Sequence, residues 1–239
     1  MPTLDSHTTD QDRQLWNFHQ VSLRPHYETA HPRYNIILQR ILKTRKTGRA
    51  LEIGFGDGYL LEQLSRRGIT STGIDLADDN VRVTKELFTK KGLPIELRAA
   101  NINSLPFPDS SFDILVASEV VEHLDDDTLA RGLSEISRVL TPSGMVVITV
   151  PADELLEENV VFCPNCGSTF HRWGHKQTFS KTRLQELFKG YRHVEVVKIP
   201  MLVMPSAPLV EKIKYWIRSF VCKFYDRPFV GNYLIKALK

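Results

Sequence analysis

Three groups of residues in this chain of 239 residues have the types and spacing to do chemistry. The first is ALEIGFGDG, residues 50–58, where an apolar run carrying Glu52 meets Gly54, Gly56 and Gly58 at alternate positions. It reads as a buried strand turning sharply into a helix. Glycine takes backbone angles that a Cβ forbids, and it lets a ligand lie against bare main chain. A helix beginning at Tyr59 points its first free N–H groups at that ligand. The second is Asp75 in STGIDL. An acid at the tip of the second strand of a βαβ unit is placed for the two ribose hydroxyls of an adenosine. Asp75 also lies where it could cap the helix that Asp78, Asp79 and Asn80 begin, and both roles suit the cluster. The third is FCPNCGSTFHRWGH, residues 162–175, which contains Cys163-x2-Cys166-x4-His171-x3-His175. Two cysteines on a tight turn favoured by Pro164 and Gly167, then two histidines, match tetrahedral zinc spacing. A redox disulfide between Cys163 and Cys166 is the other reading.

The elements around these groups alternate. Residues 32–43 read as a helix with Pro32 in its first turn and Ile36, Ile37 and Ile41 on a partly apolar face. Strand 50–53 and helix 59–67 flank the glycine turn, and strand 70–76 carries Asp75. Helix 80–91 stops at Gly92 and Pro94, strand 95–99 runs into Asn101 and Ile102, and the loop LPFPDSSFD precedes strand 114–117. Ser118, Glu119, Glu122 and His123 follow that strand. Helix 125–140 has an acidic first turn, which suits the helix dipole, and a Pro142-Ser143-Gly144 turn leads into strand 145–150. Near-continuous apolar strands separated by helices imply a parallel sheet covered on both faces. After the cysteine–histidine segment come helix 181–189 behind Ser180, strand 193–199, helix 209–225 and a last strand at 231–238. The expected organisation is a tail with helices over 1–46 and one α/β domain over 47–239, with 155–178 inserted as a small metal-stapled lobe.

Composition narrows the classes. A net charge of +3 is too small to argue for nucleic acid, and 42% hydrophobic residues suit a soluble protein with a sizeable core. No run approaches the roughly 20 apolar residues of a membrane span. The first residues lack the apolar core of a signal peptide, and Cys163, Cys166 and Cys222 do not make a disulfide framework, so a reducing cytoplasm is expected. Helix 209–225 has an apolar stripe that includes Ile213, Trp216, Ile217 and Phe220, with Lys212, Lys214, Arg218 and Lys223 elsewhere. It suits packing on the sheet, or a peripheral contact with the inner face of a membrane and a lipid-linked acceptor.

Taken together, ALEIGFGDG, GIDL, NINSLPFPDSSFDILVASEVVEHL and RVLTPSGMVVITVP resemble the class I S-adenosylmethionine-dependent methyltransferases, in particular the type 11 small-molecule group. The resemblance is tight over 47–151 and loose elsewhere. It implies a Rossmann-like, doubly wound, mostly parallel sheet of seven strands in the order 3-2-1-4-5-7-6, the last strand entering antiparallel. It also implies roles. Glu52 matches the acid that helps hold the amino-acid end of the methyl donor. The backbone of Gly54, Phe55 and Gly56 forms the wall there, and Asp57 and Gly58 continue the turn. Phe55 stands where a small residue or Cys is usual. Asp75 and Leu76 match the ribose clamp and its apolar neighbour. Asn101 and Ile102 match the adenine edge, with Asn101 in place of a frequent Asp. Ser118 and Glu119 lie beside the sulfonium.

Methyl transfer asks the protein mainly to align two molecules and exclude water, and an oxygen or nitrogen acceptor often also needs a base. His123 is one base; its other reading is a structural hydrogen bond. In the resembled family a Gly-His before Phe-Ser, here Gly174-His175 and Phe179-Ser180, occurs without zinc. His175 therefore either binds metal with Cys163, Cys166 and His171 or faces the acceptor. The expected function is methyl transfer to a small-molecule or glycan- or lipid-linked acceptor. The alternatives are a donor-binding scaffold or regulator without catalysis, and a zinc-bearing methyltransferase of RNA or protein.

Overall fold

A computed structural model describes residues 13–22, 24–200, 210 and 231–239. The expected helix at 209–225, with its proposed membrane contact, and Cys222 lie outside the described residues apart from Val210. No helix among the described residues is long and apolar enough to cross a membrane.

The chain enters through a π-turn at Phe18–Ser22 and a 3-10 segment at Arg24–Ala30, then α1, His31–Thr44. Tyr34, Ile37, Leu38 and Ile41 recur at helical spacing and are all buried, so this face packs on the sheet. Removing each such aliphatic side chain from water stabilises the fold by about 1.5–3 kcal/mol. The sheet then forms from β1 (Arg49–Ile53), β2 (Thr70–Asp75), β3 (Glu96–Ala99), β4 (Phe112–Ser118), β5 (Leu140–Pro151), a late strand His193–Pro200, and the terminal strand Gly231–Leu238. Its helices are α2 (Tyr59–Ser65), α3 (Asp78–Lys90), α4 (Asp126–Val139) and α5 (Lys181–Leu187).

Between β5 and α5 a two-stranded hairpin intervenes, β6 (Val160–Phe162) with β7 (Thr169–His171), so the two late sheet strands are β8 and β9. The main sheet has seven strands in the order β3-β2-β1-β4-β5-β9-β8. With the hairpin set aside, this is the expected order. Neighbours pair in parallel from β3 to β5, and β9 lies antiparallel between β5 and β8. All strands but β9 therefore end at one edge, where the loops that follow β1, β2, β4 and β5 gather.

Local caps match the acidic and hydroxyl signals. Asp125 accepts the Thr128 N–H at 2.8 Å at the start of α4, and Ser180 accepts the Arg183 N–H at 3.2 Å at the start of α5. One element differs from expectation. Residues 142–144 form no separate turn: the chain stays extended from Leu140, which pairs with Phe112 across an irregularity in the β4–β5 register. Leu140 is fully buried and holds the extension against the core.

Phe55, the unusual residue in the glycine turn, is fully buried and packs with Leu61, Phe88 and Leu97. Its ring fills space that faces Gly73 of β2, where a Cβ would come within 2.8 Å of it. The side chain therefore belongs to the layer between helix and sheet.

Candidate active site

The loops at the strand ends wall one cavity of about 1160 Å³. That exceeds the roughly 300–1,000 Å³ of a single small-ligand pocket. One end is formed by Gly54, Asp75, Leu76, Asn101 and Ile102; the middle by Ser118, Glu119 and His123; the far end by Glu154, Trp173 and His175. Six of the expected donor-site residues (Gly54, Asp75, Leu76, Asn101, Ile102 and Ser118) thus share one wall, with Glu119 and His123 adjoining. Glu52, Phe55, Gly56, Asp57 and Gly58 lie behind it, within the turn.

That turn is wound by glycines in the left-handed region: φ is 67° at Gly54, 55° at Gly56 and 80° at Gly58. Asp57 faces away from the cavity. Its Oδ1 accepts the Tyr59 N–H at 3.0 Å and its Oδ2 meets His31 Nε2 at 2.6 Å, which ties α1 to the start of α2. Glu52 is buried, and no donor meets either carboxylate oxygen in hydrogen-bond geometry. Burial, then the charge of Asp57, pushes it well above the usual carboxylate range; the Leu61 amide exerts only a weaker downward pull.

Asp75 is 3% exposed and sits in a network that sequence reasoning missed. Its Oδ1 accepts the Ala77 N–H at 2.9 Å, while Oδ2 accepts from Asn80 Nδ2 at 3.1 Å and Gln20 Nε2 at 3.2 Å. Asn80 Nδ2 also reaches the Gly56 carbonyl at 2.9 Å, so one buried amide links the ribose-clamp position to the glycine turn. Burial raises Asp75 to about 6, against the pull of these donors. Oδ1 thus turns the chain towards α3 through the Ala77 N–H, and Oδ2 is held by two side-chain amides at the cavity wall. Asn101 turns its Oδ1 to the Asn103 N–H at 3.1 Å.

Glu119 has a φ of 56°, a left-handed backbone that costs a residue with a Cβ of order 1–3 kcal/mol. Its N–H is held by the Thr149 carbonyl at 2.9 Å and its Oε2 by Asn232 Nδ2 at 2.7 Å. Its Oε1 is buried with no hydrogen-bond partner. Ser118 Oγ receives Arg33 Nε at 3.1 Å and meets Thr149 Oγ1 at 2.8 Å. Glu122 is fully buried; desolvation, then Glu119, pushes it well above the usual carboxylate range. His123 Nδ1–H donates to the Gly174 carbonyl at 3.2 Å, and burial with His175 beside it pushes His123 down to about 3.

The expected quartet Cys163, Cys166, His171 and His175 does not converge. Cys163 N–H bonds to the Ser168 carbonyl at the hairpin tip, while His171 pairs with Val160 at its base. Three residues of extended chain separate the two levels by about 10 Å. The cysteines remain free thiols, and Cys166, hydrogen-bonded to Ser168 Oγ at 2.9 Å, is lowered to about 7 by that bond. Among the described residues, the groups with ligand atoms within 4.8 Å of one another are Glu154, His171 and His175, and Glu122, His123 and His175; neither includes a cysteine. The histidines have gathered around Glu154, a residue that sequence reasoning passed over.

The donor end fits an adenosyl group with an amino-acid tail. It offers a carboxylate for vicinal hydroxyls, apolar Leu76 and Ile102, bare main chain at Gly54, and an unpartnered Glu119 oxygen suited to positive charge. Comparison with known proteins agrees. The family model described as a methyltransferase domain matches residues 51–148. A ubiquinone biosynthesis O-methyltransferase of Bartonella bacilliformis is 37% identical over 42% of this chain and 40% of that protein. A probable S-adenosylmethionine-dependent methyltransferase of Mycolicibacterium smegmatis is 30% identical over 66% of this chain and 56% of that protein. The chain thus spans between about two fifths and three fifths of these two relatives. The crystal structure of Burkholderia thailandensis 1,6-didemethyltoxoflavin-N1-methyltransferase, with S-adenosylhomocysteine bound, superposes with a TM-score of 0.66 over 98% of this chain and 88% of that one. At 16% identity it speaks for the fold alone. Matched motifs, strand order and donor-end residues agree: residues 51–148 match a methyltransferase domain, and the sheet has the strand order expected from the resemblance to the class I S-adenosylmethionine-dependent methyltransferases.

Proposed function

We propose that the chain transfers a methyl group from S-adenosylmethionine to a hydroxyl group of a small-molecule acceptor. The observation that carries this is the single cavity. Its donor end is walled by Gly54, Asp75 and Asn101 and its other end by Glu154 and His175, and among the described residues all of these line the same cavity. The names of the relatives, O-methyltransferases among them, favour a hydroxyl on a small molecule. A glycan- or lipid-linked acceptor would present the same hydroxyl.

The bound donor supplies an electrophilic methyl group on a sulfonium. Asp75 accepts hydrogen bonds from the ribose hydroxyls, and Leu76 and Ile102 pack against the adenine. Glu119, already fixed by Asn232, places its free oxygen where positive charge is stabilised. Trp16, Trp173 and Leu155 give the walls apolar surface. The chain's work is alignment and exclusion, which suits an in-line displacement.

The test has two arms. Calorimetry with S-adenosylhomocysteine should give a defined dissociation constant. Methyl-labelled donor incubated with a panel of catechols, phenols and sugars should yield a product heavier by one methyl group. Donor binding without any methylated product would reduce the reading to a binding protein.

A further inference from the structure

We propose that His175, held by Glu154, is the general base that takes the acceptor's proton; this rests on the hydroxyl-methylation reading above. The two residues come from opposite ends of the inserted segment. Glu154 follows β5, and His175 follows the return strand of the hairpin. Glu154 Oε2 meets His175 Nδ1 at 2.5 Å. A carboxylate only accepts, so Nδ1 carries the proton and the ring's lone pair sits on Nε2. The ring itself lines the cavity.

Glu154 is gripped from its other side as well. Asn159 Nδ2 donates to its Oε1 at 3.2 Å, and His171 Nε2 lies 3.5 Å from the same oxygen. His171 Nδ1 accepts the backbone N–H groups of Trp173 at 3.3 Å and His175 at 3.1 Å. The proton of His171 is therefore on Nε2, facing Glu154. Nδ1 is thus taken by two backbone N–H groups, while Nε2, buried near Glu154 Oε1, makes no hydrogen bond to it. Glu154 is a positioning residue; His175 is the catalytic one.

His123 also lines the cavity, with its ring 4.8 Å from that of His175. It has no carboxylate at hydrogen-bond distance: its Nε2 is 4.0 Å from Glu122 Oε1. Its burial, which holds it down to about 3, disfavours the imidazolium that a base must become. The titratable groups facing His175 are Glu154, His171, His123 and Glu122, with Lys176 next in the chain. In the step itself the acceptor O–H gives its proton to His175 Nε2. The O–C bond forms as the C–S bond breaks, and sulfur keeps that electron pair. The imidazolium then releases its proton to water.

The full chain labelled with 15N-histidine tests the dyad by long-range proton–nitrogen NMR. The expected result is the Nδ1–H tautomer for His175, with a far-downfield proton that is lost in Glu154→Ala. An Nε2–H tautomer, or metal at one equivalent per chain on His175, overturns the proposal. Kinetics use 3,4-dihydroxybenzoate as the acceptor probe. His175→Gln should lower kcat by about 100-fold or more, with S-adenosylhomocysteine affinity within about 2-fold of the parent. Glu154→Gln should lower kcat by roughly 10-fold with KM within about 2-fold of the parent, because the ring loses its orientation and not its place in the cavity. Glu154→Asp should restore part of the loss. His123→Gln should cost less than His175→Gln. An unchanged kcat in Glu154→Gln, no rescue by Glu154→Asp, or a larger loss in His123→Gln overturns the proposal. If the parent turns over neither this probe nor the acceptor panel, the methylation reading fails, and the tautomer alone decides the dyad.

Discussion

The side-chain amide of Gln20 donates to the Asp75 carboxylate at 3.2 Å, across 55 positions of sequence. The entry segment of the chain is thereby fastened to the residue proposed to hold the donor's ribose. Asn80 binds the same oxygen, and its Nδ2 also reaches Gln20 Oε1 at 3.1 Å. A ligand arriving at Asp75 meets a carboxylate whose direction is already set by two neutral amides.

Asp75 is therefore expected to control donor affinity in a pH-dependent way. Asp75→Ala should weaken S-adenosylhomocysteine binding at least about 10-fold, since hydrogen bonds to a charged group contribute about 1.5–3 kcal/mol. In the parent protein affinity should rise as pH passes upward through about 6, where the carboxylate ionises. That rise should vanish in Asp75→Asn. Calorimetry between pH 5 and 8 checks both; a pH-independent constant in the parent would remove Asp75 from the donor contact.

Glu122 makes a prediction about stability. Its folded pKa lies well above the ordinary 4.5, because burial disfavours the charge. Below the unfolded value both states are protonated and its contribution is fully present. As pH rises from there towards the folded value, the unfolded chain gains by ionising, and stability falls by up to about 1.4 kcal/mol per pH unit. Glu122→Gln should flatten this slope, melting above the parent at pH 8 and not at pH 4. Thermal melts across that range decide it, and parallel slopes would mean that Glu122 ionises in place.

Gly73 tests the packing behind the glycine turn. A Cβ there would lie 2.6 Å from Leu61 Cδ1 and 2.7 Å from Leu97 Cδ2. Gly73→Ala should cost about 1–3 kcal/mol by overpacking, which lowers Tm by roughly 2–4 °C per kcal/mol in a chain of this size. Gly92→Ala is the control for strain without crowding, since nothing lies within 4 Å of its Cβ position although φ is 65°. A Gly73→Ala variant as stable as the parent would mean that Leu61 and Leu97 move aside without cost.

Phe55→Ala should cost about 3–5 kcal/mol in denaturant unfolding, as for other fully buried aromatics. Because its ring faces Leu61 and Leu97, with Gly73 beneath, donor affinity of the folded variant should change less than in Asp75→Ala. A larger loss of affinity than of stability would place the ring in the donor contact.

The sheet was legible because its strands are short apolar runs between helices, a pattern that admits few topologies. Gly54 and Asp75 were legible because turn chemistry and strand-end position single them out. Gln20 was not: residues 15–27 carry no clean period, and their role comes from contacts made across the sheet edge. Glu154 was hidden among Asp153, Glu157 and Glu158, with nothing local to mark it. The zinc reading of Cys163, Cys166, His171 and His175 followed the spacing alone. Hairpin pairing, which spacing does not encode, sent the cysteines to the tip and His171 to the base.

The cavity's two ends rest on unequal foundations. Asp75 terminates a central strand paired on both sides, whereas His175 follows β7 of a hairpin whose two strands have three residues each, with side chains largely exposed. Segments with so little buried surface open by local fluctuation, while central strands exchange their amides only on global unfolding. The hairpin side of the acceptor wall is thus expected to exchange its amides faster than the donor side, so that the two ends of one cavity differ in stability.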